Sequence, residues 1–246
     1  KIVEFGLRVK QSEPIYQGLK AIKEGPEWDR LGEAQRRIID RKLLAFEQAG
    51  IGLEGAQRKR FNEIATELSK LSTDFSNHVL DATKAYSLTL TDPADAEGLP
   101  PSLLRLAAQS HNQHKTDEQP EATPESGPWR ITLDAPSFLP FMQHCQRRPL
   151  REQAYRAFVT RASTGEFDNS PLIDRILELR QEQAELLGYR NYAELSLAEK
   201  MAPDVAAVTE MFERLRSASW VPAQQDMRDL EQLAADSGAE TPVLHW

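Results

Sequence analysis

Cysteine is almost missing from this sequence of 246 residues, because Cys145 is the only one. A single cysteine excludes an internal disulfide and favours a reducing compartment. A lone cysteine at the end of a helical pattern is typical of a small buried hydrophobic residue. We therefore predict that Cys145 is buried and has no reactive role.

Long apolar runs are missing as well. No run approaches the ~20 residues that a helix needs to span a bilayer, and the first ten residues contain no signal-peptide core. The sequence therefore predicts neither a membrane protein nor a visibly targeted one.

Positive charge is in short supply. Lys and Arg number 30 against 38 Asp and Glu, which gives a net charge of −8. A protein that binds nucleic acid neutralises phosphates with a basic surface, so this balance argues against a nucleic-acid partner.

The short motifs that announce well-known chemistry are also absent. The sequence contains no HExxH, no GxSxG, no glycine-rich phosphate loop and no CxxC. Carboxylates are plentiful, but they are scattered over helix faces, where their usual role is solubility and surface pairing with Lys or Arg. The residues by themselves therefore indicate no catalytic constellation.

Amphipathic helices are what the sequence has in abundance. The clearest lies over 54–86, where six residues advance by three or four positions and form one stripe: Phe61, Ile64, Leu68, Leu71, Phe75 and His78. Two shorter helical patterns precede it, one that Ser12 can cap and one over about 33–49 that Gly50 ends. Short links between three such helices favour antiparallel packing.

Two segments, 86–92 and 129–134, instead alternate apolar and polar residues, which is the period of a half-buried strand. We predict that these strands pair with each other. Between them the sequence predicts a short helix over about 101–109. The polar segment 110–128 that follows is rich in Pro, Glu and Ser, and we predict a mobile surface loop there.

From Ser137 onward the pattern is helical again. Ser137 is a plausible cap for a helix over about 138–146, and Pro149 suits the first turn of the next one. Pro222 is expected to kink or restart the last helix. The predicted fold class is mainly α: a multi-helix lobe with a small two-stranded β element at about 86–92 and 129–134.

The five histidines are the first candidates for a metal or catalytic site. His111 and His114 are three positions apart and are followed by Asp117 and Glu118, so on a helix they offer ligands to zinc. The alternative is a solvated loop, and it is favoured because the pair lies where helical periodicity gives way to the Pro-rich segment.

The other histidines have simpler interpretations. His78 lies on the apolar stripe, which is typical of a residue hydrogen-bonded to a neighbour in a core or an interface. His144 and Cys145 are adjacent on a helix and point in different directions, so they form no nucleophile–base pair. His245 belongs to what we expect to be a dangling end.

One local basic cluster follows His144, and it suggests either an anion site or ordinary helix charge. The interpretation as helix C-terminal charge followed by a solvated face is favoured. The cluster consists of Arg147, Arg148, Arg151, Arg156 and Arg161.

Three long strings, over 71–86, 129–163 and 168–202, carry a family resemblance. They begin LSTDFSNHVLDATKAY, WRITLDAPSFLPFMQ and DNSPLIDRILELRQ. In this order and spacing they resemble the oligopeptidase A group of the thimet-oligopeptidase-like zinc metallopeptidases. The resemblance covers nearly the whole chain. One departure is visible, because relatives often carry asparagine where this chain has His78.

The resemblance implies a largely helical, clam-like enzyme that cuts short peptides in a channel between two lobes. It also implies a zinc ion held by an HExxH helix and a further glutamate, which activates water and polarises the scissile carbonyl. No position of this sequence matches those residues. We therefore assign no catalytic, cofactor-binding or metal residue here, and we expect the zinc of the parent enzyme to be bound outside this chain.

The chain begins at Lys1 without methionine and stops soon after a new segment starts. We expect residues 1–246 to be a partial N-terminal helical lobe whose catalytic half is absent. Its expected role is one wall of the channel of a cytoplasmic enzyme that is monomeric at full length and acts on short peptides. A chloroplast or mitochondrial matrix location is the alternative for a plant-type enzyme.

Two other functions stay open. One is a helical scaffold that binds partner helices through its amphipathic faces, and the other is a metal-binding module that uses His111 and His114. The open reading frame beyond Trp246 distinguishes the scaffold from the peptidase.

Overall fold

The computed structural model describes residues 2–246 of the chain. The fold is mainly α with one two-stranded antiparallel sheet, as the sequence predicts. The chain divides into two compact units. Unit 1 comprises the described chain up to Thr73 together with Leu172–Gln225, and unit 2 comprises Asp74–Pro171 and Asp226–Trp246.

The boundaries between the units fall inside three of the helices, after Thr73, Pro171 and Gln225. The helices, in chain order, are α1 (Ile2–Lys10), α2 (Glu13–Glu24), α3 (Glu33–Gln48), α4 (Gly55–Ala85), α5 (Pro101–His114), α6 (Ala135–His144), α7 (Arg148–Val159), α8 (Ser170–Leu186), α9 (Tyr192–Leu197) and α10 (Val205–Asp236). No helix within the described residues is both long enough and apolar enough to cross a membrane.

Unit 1 is built on α2, α3 and the first part of α4. The turn between α3 and α4 follows from Gly50, whose φ of +80° lies in the region that glycine tolerates best. The backbone N–H groups of Gly50 and Ile51 donate to the carbonyls of Glu47 and Phe46, which is the helix ending expected of a glycine cap. The chain then returns so that Phe61 and Ile64 of the stripe are buried.

Two ion pairs join α4 to α8 within unit 1, and we call their four residues the charge clamp: Arg60, Glu67, Arg175 and Glu182. Arg60 of α4 donates two hydrogen bonds of 2.6 Å to the carboxylate of Glu182. In return Arg175 of α8 donates to Glu67 of α4 at 2.7 and 3.2 Å. The clamp fixes the antiparallel register of the two helices, since the earlier residue on α4 meets the later one on α8.

The charge clamp makes unit 1 sensitive to acid. The hydrogen bonds from Arg175 hold the pKa of Glu67 below its ordinary value of 4.5, and those from Arg60 lower the pKa of Glu182. A carboxyl with a lowered pKa in the folded state stabilises the fold above its unfolded pKa, and this stabilisation is lost as the pH falls through the folded pKa. We therefore expect the urea midpoint of unit 1 to fall as the pH drops below about 4.5.

The double variant Glu67→Gln/Glu182→Gln is the test of this pH dependence. In this variant the urea midpoint is expected to decrease less steeply as the pH falls. The difference from the unmodified chain is expected to be small because water screens these half-exposed ion pairs. Glu54→Gln is the control, since the Glu54 side chain forms no hydrogen bond or ion pair among the described residues. If the urea midpoint decreases equally steeply with falling pH in the double variant and in the control, Glu67 and Glu182 are not the cause of the acid sensitivity.

Unit 2 is organised around strands β1 (Leu88–Leu90) and β2 (Trp129–Ile131). They pair antiparallel, with Thr89 opposite Arg130, so the predicted pairing is confirmed over shorter strands. Because side chains alternate across a strand, Trp129 and Ile131 enter the core while Arg130 lies on the other face. The core also takes residues from α5, α6 and α7, including Leu103, Phe141 and Ala154.

Several local predictions need correction. Helix α1 lies before the first predicted helix, and its apolar residues Ile2, Phe5 and Val9 are exposed. Ser12 does occupy the N-cap position of α2, but its side chain accepts no capping hydrogen bond. Pro222 lies inside α10 and does not restart the helix. The helix continues there because residues 209–233 are all exposed, so water can satisfy the carbonyl whose partner the proline removes.

The start of α6 and the end of α5 also differ from the prediction. Helix α6 begins at Ala135 with Asp134 as its N-cap. Ser137 is therefore not the cap but the third residue of the helix, where its Oγ accepts a hydrogen bond from the Thr132 N–H at 3.0 Å. Helix α5 continues to His114, so residues 110–114 are helical rather than part of a loop.

Candidate functional site

His111 and His114 lie on the last turn of α5 in different surroundings. His111 is only 5% exposed, and its Nε2 has no hydrogen-bond partner among the described residues. His114 is exposed, and its Nδ1–H donates to the Ser110 carbonyl at 2.9 Å. Across residues 2–246 no three His, Cys, Asp or Glu side chains are grouped so that they could hold a metal ion. The structure therefore gives the zinc hypothesis for this pair no support.

His78 is hydrogen-bonded to a neighbour, as its place on the stripe predicts. Its Nδ1–H donates to Oδ1 of Asn169 at 2.9 Å, and Asn169 in turn donates from Nδ2 to the Phe75 carbonyl at 3.1 Å. Asn169 is buried, and the ring of Phe167 lies beside His78. This arrangement joins the end of α4 to the start of α8 inside unit 2, and it leaves His78 a structural role.

Cys145 is buried, as predicted, whereas its neighbour His144 is exposed. Cys145 caps the C-terminus of α6 and is buried in the core of unit 2. Burial raises the pKa of its thiol, which disfavours the reactive thiolate at neutral pH.

His245 does not lie in a dangling end, so that expectation was wrong. Its ring stacks on Tyr155 of α7 with 5.5 Å between the ring centroids. Trp246 contacts the same tyrosine and also lies under the guanidinium of Arg156, 4.8 Å from its ring centroid. The last residues are held because α7 presents an aromatic and cationic face that their rings can cover.

The arginines of the basic cluster are all engaged by protein groups. Arg147 pairs with Asp95 at 3.2 Å, and Arg148 pairs with Glu240 at 3.0 Å and also donates to the Pro242 carbonyl. Arg151 donates to the Cys145 carbonyl. Arg161 donates to Thr83 and packs over the ring of Phe158. The cluster therefore forms no free anion site of its own.

A polar cleft of about 470 Å³ lies in unit 2, and it brings together residues that are distant in sequence. Its walls are the end of α4, one face of α5, the outer face of β2 and the start of α6. We call it the polar cleft, and its principal polar lining residues are Lys84, Gln109, Ser110, Gln113, Arg130 and Asp134.

Sequence patterns do not reveal the polar cleft. On α5 the only signal is a face on which polar residues recur at helical spacing, such as Gln109 and Gln113, and this is also typical of an ordinary solvated face. Lys84 and Arg130 are brought to the same cleft only by the folding of unit 2.

A second exposed feature belongs to the unit 1 part of α10. Phe212, Leu215 and Trp220 lie on one side of the helix by their spacing and are all more than half exposed. Such a concentration of large apolar side chains on one helix is typical of a surface that another polypeptide covers. We call it the apolar face of α10.

The segment after α5 is tied to its helix at one point. The side chain of Asn112 pairs with both backbone groups of Ala122: Nδ2 donates to the carbonyl at 2.9 Å, and Oδ1 accepts from the N–H at 2.7 Å. Ala122 is buried as a result. The mobility of the segment stays a prediction, but its tip is anchored.

Replacing Asn112 with alanine is expected to release this segment. Two hydrogen bonds of about 1 kcal/mol each are lost, so cleavage by trypsin after Lys115 is expected to accelerate roughly thirtyfold when opening and closing of the segment are fast relative to cleavage. Gln113→Ala is the matched control, since it shortens an exposed neighbour with no bond to Ala122. Equal cleavage rates in the two variants would show that Asn112 does not hold the loop.

Comparison with known proteins finds family matches in two parts of the chain. Residues 1–58 match the N-terminal domain of neurolysin and thimet oligopeptidase. Residues 141–246 match peptidase family M3. The part of the chain over residues 141–246 is thus similar to the M3 peptidases. Relatives of the whole chain include a probable cytosolic oligopeptidase A of Arabidopsis thaliana, which is 51% identical over 99% of this chain and 34% of its own length.

Two further relatives agree with these matches. An organellar oligopeptidase A of Arabidopsis thaliana, described as chloroplastic/mitochondrial, is 50% identical over 99% of this chain and 31% of its own length. The oligopeptidase A of Escherichia coli strain K12 is 39% identical over 98% of this chain and 34% of its own length. This chain thus spans about a third of the length of these relatives, and the family predicted from the three long strings is confirmed.

Proposed function

We propose that this chain is the non-catalytic N-terminal part of a zinc-dependent metalloendopeptidase that hydrolyses short peptides. The observation that carries the proposal is the identity of 51% with an oligopeptidase A across 99% of the chain but only 34% of that relative. Within the proposal, the parent enzyme is a cytoplasmic monomer with no nucleic-acid or membrane partner. A chloroplast or mitochondrial matrix location is the alternative.

The described residues do not fit the zinc of such an enzyme. A catalytic zinc site needs three protein ligands around one point, and no such group of His, Cys, Asp or Glu lies in the part of the chain that the structure describes. The proposal therefore assigns the zinc ligands and the chemical steps to residues outside this chain, and it names no catalytic residue here.

The role proposed for the chain itself is to form one wall of the substrate channel. A wall that narrows the approach to a catalytic centre excludes folded proteins by size, whereas extended peptides enter. The apolar face of α10 supports the proposal, because Phe212, Leu215 and Trp220 offer a surface that further polypeptide can cover.

A peptidase assay of two proteins tests the catalytic part of the proposal. The chain alone is expected to cleave no short fluorogenic peptide, whereas the same chain joined to the rest of its reading frame is expected to cleave it. Chelation should abolish this cleavage and added zinc should restore it. Chelator-sensitive cleavage by the chain alone would overturn the non-catalytic role, and an inactive longer protein would overturn the peptidase.

A cross-linking experiment tests the wall. A short peptide that carries a photoreactive group is bound to the longer protein, and the labelled residues are then mapped. Labels within residues 1–246 are expected. Labels confined to the rest of the protein would contradict the wall.

The second candidate function is a helical interaction module without peptidase activity, and the same apolar face of α10 favours it. A reading frame that ends soon after Trp246 would select this alternative. An HExxH helix encoded further along would instead select the peptidase.

A further inference from the structure

The polar cleft of unit 2 carries positive charge in an acidic protein. Lys84 and Arg130 line it, and Asp134 is the one acidic residue among its lining residues. The chain as a whole has a net charge of −8, so the cleft differs in sign from the average surface. Concave sites lined by one sign of charge concentrate ions of the opposite sign.

The two cations of the cleft are not neutralised by the protein. Arg130 is half-buried, and its Nη1 donates to the Ser110 Oγ at 3.1 Å. In the part of the chain that the structure describes, neither Arg130 nor Lys84 lies within ion-pair distance of a carboxylate. By contrast, Arg60 and Arg175 of the charge clamp are each paired with a carboxylate. A half-buried guanidinium with only a hydroxyl as partner retains donors for a further acceptor.

Neutral donors surround these charges. The amides of Gln109 and Gln113 line the same cleft and form no side-chain hydrogen bond with the described residues. Asp134 is turned toward Thr132, whose Oγ1 donates to its Oδ2 at 3.0 Å. The cleft therefore combines two cations and free amide donors with one carboxylate, whose Oδ2 accepts a hydrogen bond from Thr132.

We propose that the polar cleft binds a small oxyanion, a carboxylate or phosphate group, with Arg130 and Lys84 as its charge partners. A guanidinium presents its N–H donors in a fork that matches two oxygens of such a group, while an ammonium acts as a second point charge. A volume of about 470 Å³ suits a small ligand. This site does not depend on the proposed peptidase function.

Three probes distinguish the sources of the oxyanion. Inorganic phosphate, a dipeptide with a free C-terminal carboxylate and the same dipeptide amidated at its C-terminus are titrated into the chain by calorimetry. Binding of phosphate alone identifies a phosphate site. Binding of the free acid but not of its amide identifies a peptide carboxylate site, and either result supports the proposal. Failure of both phosphate and the free acid to bind overturns it.

Substitutions in the polar cleft show whether the probe binds there. Arg130→Gln is expected to lower the affinity for the probe about tenfold or more, because it removes a charge-assisted hydrogen bond. Lys84→Gln is expected to weaken it several-fold, and Asp134→Asn to tighten it. Arg105→Gln is the matched control: Arg105 lies exposed on the same helix α5 but does not line the polar cleft.

The binding measurements test the proposal even if one of the variants does not fold. Circular dichroism shows whether each variant retains its helices, and the exposed Lys84→Gln carries the test if Arg130→Gln does not fold. Equal weakening by Lys84→Gln and Arg105→Gln would overturn the proposal, because the anion would then respond only to overall charge.

Discussion

Replacing Phe141 with alanine is expected to destabilise unit 2 by about 3–5 kcal/mol. Phe141 is 0% exposed and lies in the core cluster that α5, α6 and β2 share. Its removal loses the transfer free energy of a large apolar side chain and leaves a cavity that the close-packed neighbours only partly fill. Domains are stable by only about 5–15 kcal/mol in total, so the variant should populate unfolded unit 2 measurably.

Hydrogen exchange measured by mass spectrometry reads out this change for each unit separately. Faster exchange is expected across α5 and α6, with little change in α3 of unit 1. The matched control is Leu139→Ala on the same helix, because Leu139 is 53% exposed and a surface truncation there should cost about 0.5 kcal/mol or less. Similar exchange in the two variants would show that Phe141 is not a core residue.

Replacing Gly127 with alanine is expected to destabilise unit 2 by about 2–4 kcal/mol, from left-handed backbone strain and overpacking together. Gly127 precedes β2 with φ of +69°. A Cβ at this position would lie 2.7 Å from Cε3 of Trp129. Trp129 is buried in the core, and its Nε1–H donates to the Pro124 carbonyl at 3.1 Å, so its ring has little room to move.

Gly165→Ala separates the two causes. Gly165 also has a positive φ, of +72°, but a Cβ there would meet no atom within 4 Å. This control should therefore show only the backbone strain of about 1–2 kcal/mol. Thermal unfolding of both variants measures the difference. A loss of stability in Gly127→Ala no greater than in Gly165→Ala would contradict the clash with Trp129.

Local features of this fold were predictable because neighbouring residues determine them. The stripe that contains Phe61 and Ile64 predicts α4 to within a residue at each end, since a helix repeats its environment every three to four residues. Gly50 predicts the end of α3 because its positive φ suits a helix cap. Pro222 was expected to kink or restart the last helix, and the restart is not found for the converse reason: the solvent exposure that α10 has in the fold, which lets water replace the lost hydrogen bond, is not a local property.

The sequence by itself therefore determined the mainly α class, the pairing of two strands, the buried state of Cys145 and the resemblance to the oligopeptidase A group. Only the tertiary structure decided which distant side chains meet. It stacked His245 on Tyr155, crossed Arg60 and Arg175 onto Glu182 and Glu67, and brought Lys84 and Arg130 into one cleft. Helix and strand periodicities are encoded over a few residues, whereas each of these contacts joins positions more than forty residues apart and depends on how whole elements pack.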